Sequence, residues 1–285
     1  VVFENGRIIK GREVTPFREI PCNKDIFLFY YLAKKLGIIS GDESRENLVS
    51  GFILKWVRDG IITIREKESG AIVKKKNYDM YLDVDAKFEN KQETALYKMF
   101  ILASKDSVLQ TKAFQKWCGK HYKKIDDWFT KVDNVTEASM NKNGYAKTKT
   151  VYKRLLFWNI PRDRTVWTDK AYDQCLYVWG FNNFLEDEDN MKEKAAIEVK
   201  LWDEYLIFAA VLGIADRVEK QLKVAIPRYE ETSTYNNFPI YYYTHTFAHN
   251  SMSAASSAAS AGQGGSSSFS GGGGGFSGGG GGGVR

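Results

Sequence analysis

His245 and His249 stand four residues apart, the spacing that puts two imidazoles on one face of a helix and lets them share a metal ion. No glutamate follows His245 and no third ligand stands nearby, so the pair has no cage, and no metal site is expected. Asp203 and Glu204 are neighbouring carboxylates between Trp202 and Tyr205. Adjacent residues on a helix diverge, so the two cannot act as acid and base on one substrate, and a polar edge on an amphipathic helix is expected. His121 falls on an apolar seam, the place of a satisfied core histidine. The glycine-rich end contains G-x-G matches, but none joins a strand to a helix as a phosphate loop requires. Cys22, Cys118 and Cys175 are far apart, odd in number and without a C-x-x-C pair, which argues against a disulfide framework or a zinc site. They are expected as buried thiols in a reducing compartment. Asn134-Val135-Thr136 is an N-x-T sequon, but it falls inside a predicted helix and reads as a chance match. With no nucleophile, base or cofactor cradle in view, no enzyme activity and no cofactor are expected.

The chain has 285 residues, 43% of them hydrophobic and 14% aromatic, enough for two domains with real cores. Its net charge of +6 comes from 41 basic and 35 acidic residues, a weaker bias than a dedicated nucleic-acid binder concentrates on one face. The longest apolar run, Tyr205–Ala215, is bracketed by Asp203, Glu204, Asp216 and Arg217 and is too short to cross a bilayer. Glu4, Arg7, Lys10 and Arg12 interrupt any signal-peptide pattern. The chain starts at Val1 without a methionine, as a fragment or a processed product would.

The elements follow from hydrophobic spacing. Residues 1–22 form a basic lead-in punctuated by Pro16 and Pro21. Ile26, Phe29, Tyr30, Ala33 and Leu36 predict a helix over Asn23–Leu36. Val49, Phe52, Ile53, Trp56 and Val57 predict a second over Ser44–Asp59. Ile61–Ile64 and Ala71–Val73 read as a two-stranded ribbon turning at Glu68-Ser69-Gly70, which gives the helix–helix–ribbon order of a winged helix. A helix follows at Gln92–Ala103. A long one runs from Thr111 to Lys142 on the heptad-like seam Phe114, Cys118, His121, Ile125, Trp128, Val132 and Val135. Tyr145–Trp158 and Arg164–Trp167 supply strand, Thr168 starts a helix to Trp179, and the last long helix spans Lys192–Val224. Beyond Pro227, residues 232–285 turn Tyr/Thr/Asn-rich, then Ser/Ala-rich, then Gly-rich, the composition of a flexible coil. Tyr241, Tyr242, Tyr243, Phe247, Phe269 and Phe276 would be weak self-association points along it.

Two surfaces are candidates for partners. The broad apolar stripe of Leu201, Trp202, Tyr205, Phe208 and Leu212 must be covered, within the chain or by a protein partner. The second helix should turn Asn47, Ser50, Gly51, Leu54, Lys55 and Arg58 outward, with Lys74, Lys75 and Lys76 on the ribbon, as a DNA-reading helix and wing would. Gly51 and Leu54 in the middle of that face weaken base reading, and a solvated charge run is the plain alternative, so nucleic acid is not the expected partner.

Phe17-Arg18-Glu19-Ile20-Pro21-Cys22-Asn23-Lys24-Asp25-Ile26, Asn47–Gly60 with Ile61–Ile64, Gly180–Leu185 and Leu201–Val218, in that order before a glycine-rich end, resemble the cytoplasmic part of the YciQ-like predicted membrane proteins, domain of unknown function 2207. The resemblance covers about residues 17–285. It implies an extracytoplasmic β-rich domain and a membrane helix upstream, and a cytosolic place for this chain, with Arg7, Lys10, Arg12 and Arg18 as a juxtamembrane basic segment. Many relatives carry further membrane helices where this chain has Val151–Trp167, interrupted by Lys153, Arg154, Arg162, Asp163 and Arg164. Either this chain lacks those helices or it has lost them. The resemblance supplies no catalytic residues. The expected fold is therefore α+β and mostly α. A lead-in (1–22) precedes a winged-helix-like unit (23–90), a second such unit with a long C-terminal helix (91–230) and a disordered low-complexity tail (231–285). The expected role is a non-enzymatic cytosolic interaction module of a membrane protein, by protein partner or self-association; a membrane-tethered DNA-binding regulator is the alternative.

Overall fold

The computed structural model describes residues 1–69, 75–155, 158–187, 199–225, 233–235 and 240–263. The fold is α+β and mostly helical, with two small antiparallel sheets. Helix α1 (Ile26–Lys35) starts where Asp25 accepts the amides of Phe27 and Leu28 at 2.9 and 3.1 Å, a side-chain cap for otherwise unpaired donors. Helix α2 (Glu43–Arg58) buries residues on every side, from Leu48 and Val49 to Ser50, Gly51 and Leu54. Strands β1 (Ile62–Ser69) and β2 (Lys75–Leu82) pair in antiparallel register, Ile62 opposite Leu82 and Ile64 opposite Met80. A third strand, β3 (Val108–Gln110), joins the far edge of β2 after α3 (Lys91–Ala103). Three residues carry no detectable period, so the sequence reading passed over it.

The expected helix over Thr111–Lys142 is two helices, α4 (Thr111–Lys120) and α5 (Tyr122–Lys142), parted at His121, whose φ of −115° and ψ of 30° are not helical. The break re-aims the seam. Phe114, Cys118, Ile125, Trp128 and Val132 stay buried, while Val135 emerges at the surface. Strands β4 (Ala146–Leu155) and β5 (Trp158–Trp167) form a ten-residue hairpin with Ala146 opposite Trp167 at its base and Leu155 opposite Trp158 at its end. Helix α6 (Asp169–Glu186) follows, then α7 (Val199–Leu212) and α8 (Ala215–Ala225). The sequence had placed one helix over those last two. Gly213 ends α7 at a φ of +77°, and any side chain there would lie 2.7 Å from the Asn47 amide nitrogen, so the residue suits both the turn and the packing.

The largest correction concerns residues expected to be coil. Ile240–Gln263 is helix α9, and it buries Ile240, Tyr241, Tyr243, Phe247, Ala248, Met252 and Ala255. Phe247 stacks on Phe114 with ring centroids 5.2 Å apart, Tyr243 donates to the Tyr78 carbonyl at 3.0 Å, and Ser50 donates to Thr244 at 3.2 Å. Tyr241, Tyr243 and Phe247 are therefore core residues, not association points on a free tail. Residues 264–285, with Phe269 and Phe276, lie outside the described residues. Among the described residues, the buried apolar side chains other than Val166 form one continuous cluster from Phe3 to Ala255.

Candidate interaction surfaces

The apolar stripe on α7 is covered by the chain itself. Trp202, Tyr205, Phe208 and Leu212 are all buried, and Leu201 alone of the five keeps partial exposure. Helix α2 lies directly across α7: a methyl on Gly51 would sit 2.6 Å from a Val211 methyl and 3.2 Å from the Ile207 carbonyl oxygen. Phe29, Phe181 and Phe208 pack edge to face behind them. The stripe signalled burial correctly, and what buries it is internal.

Asp203, expected on a polar edge, is buried. Its carboxylate accepts the Ser233 hydroxyl at 2.6 Å and the Thr234 amide at 2.9 Å. The Tyr235 hydroxyl then donates to the carbonyls of Asp203 and Leu54 at 3.1 and 3.3 Å. Residues 233–235 are thus fastened to α7 and α2, five residues before α9 begins. Glu204 points elsewhere, to Lys24 at 2.8 Å and Arg58 at 3.5 Å, so the two carboxylates share no substrate position.

The proposed DNA-reading face is also corrected. Asn47, Ser50, Gly51 and Leu54 face α7 and α9, not solvent. Lys55 bridges Glu93 at 2.6 Å, and the same carboxylate oxygen accepts the Trp56 indole at 2.9 Å. Arg58 bridges Asp59 at 2.9 Å. These cations are engaged in packing the end of α2. A helical wheel cannot reveal this, because small and polar residues such as Asn47, Ser50 and Gly51 suit a crowded helix–helix contact as well as they suit water. Lys74 lies outside the described residues, and Lys75 and Lys76 open strand β2.

His245 and His249 do share a helix face, with ring centroids 6.4 Å apart, but His249 Nδ1 lies 2.9 Å from Glu46 Oε2 on α2. Among the described residues, no group of three or more potential ligands could hold a metal ion. His121 packs against Trp117 at the α4–α5 break.

All three cysteines are free and buried. Burial pushes the thiols of Cys118 and Cys175 up to about 12, because a thiolate loses its hydration in the core. An unfolded thiol ionises near pH 8.5. The folded chain therefore holds protons that the unfolded chain releases, and this stability is complete below about pH 8.5 and lost as the pH rises toward about 12. Each thiol should remove about 1.4 kcal/mol per pH unit in that window. Urea midpoints measured from about pH 8.5 to 10.5 should fall, and fall less steeply when both thiols are replaced by alanine. A flat midpoint would contradict this account.

The lead-in is not a loose arm. Phe3 bridges to Trp167 and packs edge to face on Trp167 and Tyr172. Asn183 on α6 donates to the carbonyls of Gly11 and Val14, both at 2.8 Å, and the Phe17 amide donates to the Gly180 carbonyl at 2.9 Å. A side chain at Gly180 would strike the Thr15 carbonyl at 2.7 Å, so this helix face is shaped for the strand of lead-in lying on it. Between lead-in and helix runs a groove of about 640 Å³, lined by apolar residues including Ile9, Val14, Phe17, Tyr172 and Leu176. At its rim Ile8 stands 82% exposed, and Tyr177, stacked on Phe17, is 41% exposed.

Among the described residues, no helix is long and apolar enough to cross a membrane. No curated protein and no solved structure matches the chain. Residues 154–222, from the outer end of β4 into α8, match the family model described as the C-terminal domain of a predicted membrane protein, DUF2207.

Proposed function

We propose that the chain is a non-enzymatic interaction module of a membrane protein, placed on the cytosolic side and self-associating through the groove between its lead-in and α6. The observation that carries this reading is Ile8, a large aliphatic side chain 82% exposed at the rim of an apolar groove. Exposed apolar surface of this kind marks association sites. A knob beside a hole on one surface is self-complementary, which is what a two-fold contact between identical chains requires. The basic residues Arg7, Lys10, Arg12 and Arg18 of the same segment support the cytosolic placement, by the bias of juxtamembrane segments. In this reading α1, α2 and the β1–β2 ribbon are a winged-helix-like unit used for packing, with its second helix spent on α7 and α9.

Sedimentation velocity over a concentration range tests the proposal. The wild-type chain should shift from monomer to dimer as concentration rises. Ile8→Asp should stay monomeric with an unchanged melting temperature, because Ile8 contributes little to the core. A monomer at every concentration, or a variant that dimerises as well as wild type, would sink the reading.

A further inference from the structure

Between the start of α1, the start of α3 and the end of α5 lies a cavity of about 430 Å³. Small-molecule sites run from about 300 to 1,000 Å³. Gln92 and Thr136 line it, and each is only 7% exposed. Buried polar side chains nearly always find a partner within the fold. These two side chains make no hydrogen bond among the described residues, and both open on the cavity instead of being sealed in the core. The main chain of Gln92 is bonded, its amide to Asn90 Oδ1 at 2.7 Å and its carbonyl to the Trp128 indole at 2.9 Å, so the position is fixed while the side chain is left over. Asn23 joins the wall from a turn in which Cys22, Asn23 and Lys24 hold φ of 60°, 50° and 63°. Left-handed backbone is costly for residues other than glycine and gathers at ligand sites. The Cys22 amide donates to Gln174 Oε1 at 3.1 Å and holds the turn in place. Phe27, Leu28 and Met140 supply an apolar wall. The charged lining residues are Asp25 and Lys170, one of each sign. Asp25 caps α1, and Lys170 donates to the Asn143 carbonyl at 3.0 Å with its ammonium 4.4 Å from the centre of the Tyr145 ring.

We propose that this cavity binds an uncharged adenine nucleoside, with the edge of the base on the Gln92 amide and the sugar hydroxyls toward Thr136 and Asn23. A carboxamide carries a donor and an acceptor side by side, the pairing that matches the edge of adenine. Base-binding pockets combine such edge hydrogen bonds with apolar packing on the flat faces, which Phe27, Leu28 and Met140 offer here. A free sugar also suits amides and hydroxyls, but it brings no flat apolar face to that wall. A phosphate would find its one cation, Lys170, already engaged and a carboxylate, Asp25, in the same cavity. The Gln92 amide gives up hydration on folding and recovers no hydrogen bond from the protein, and the nucleoside would restore one. The cavity shares no lining residue with the Ile8 groove, so the proposal stands whether or not the chain self-associates.

Calorimetric titration of the full chain with adenosine tests it. Adenosine should bind saturably with a Kd below about 1 mM. Adenosine with both exocyclic amine hydrogens replaced by methyl groups has lost the donor of that edge and should bind about tenfold more weakly. Adenosine monophosphate should bind no tighter than adenosine. Gln92→Leu should lower the affinity for adenosine about tenfold and leave the melting temperature of the free chain unchanged or raised, because the amide has no partner in the fold to lose. A purely structural glutamine would give the reverse, a lower melting temperature with the affinity intact. Thr136→Val keeps the shape of the side chain and should weaken adenosine binding severalfold at an unchanged melting temperature, which keeps the test decisive if Gln92→Leu folds poorly. The absence of saturable adenosine binding would overturn the proposal. So would tighter binding of methyl glucoside or of adenosine monophosphate than of adenosine, or wild-type affinity in both variants.

Discussion

A chain ended at Pro239 should lose its cooperative unfolding transition. The truncation removes Ile240, Tyr241, Tyr243, Phe247 and Met252, five large side chains buried in the common core, and uncovers Phe114 and Phe100 beneath them. At about 1.5–3 kcal/mol for each buried side chain, the loss is roughly 8–15 kcal/mol. That equals the whole stability of an ordinary domain, about 5–15 kcal/mol. Urea titration followed by near- and far-ultraviolet circular dichroism should show helical signal without a sharp transition. A truncated chain that unfolds cooperatively, within about 2 kcal/mol of the full chain, would show that α9 is an accessory.

Asp203→Ala should cost about 3–5 kcal/mol, the second largest effect we expect. Hydrogen bonds to a charged acceptor contribute about 1.5–3 kcal/mol each, and those Asp203 receives include the Ser233 hydroxyl and the Thr234 amide. The Ser233 hydroxyl would be left buried without this acceptor. Because residues 233–235 precede α9 closely, the loss should spread along the chain. Amide exchange should quicken in α9 as well as in α7. Asp203→Asn should recover part of the loss, since an amide oxygen still accepts one donor. A drop of less than about 1 kcal/mol would mean that the contacts of Tyr235 hold this segment alone.

Both predictions concern residues that the sequence reading misplaced, and the reasons are physical. Helices α1, α2 and α3 were legible because their apolar residues recur at helical spacing over ten or more positions. Helix α9 carries the same spacing in Ile240, Thr244, Phe247, Ser251 and Ala255, all buried. Threonine, serine and alanine hold most of those positions and do not mark an apolar face, and the glycines that follow hide the helix further. Small side chains there let α9 approach α2 and α4 closely, and the aromatic residues carry the burial. Asp203 was misread for the opposite reason: a carboxylate beside an apolar run reads as an edge unless its partners are known, and these lie 30 residues away. The α7 stripe was recognised as a surface needing cover, but pattern alone does not distinguish an internal cover from a partner. The groove at Ile8 left no trace, since a lone aliphatic residue in a basic lead-in has no period to detect.

The stacking of Phe247 on Phe114 also sets a clock for biosynthesis. The rings touch in the folded chain, but the ribosome makes them 133 positions apart. At about 5–20 residues per second, Phe114 waits roughly 7–27 s before its partner exists. Throughout that interval the grooves on α2 and α4 are open apolar surface on a nascent chain, the kind of surface that aggregates or recruits a chaperone. Synonymous codon changes between α4 and α9 that slow elongation should therefore lower the soluble yield of a protein whose final stability is unchanged.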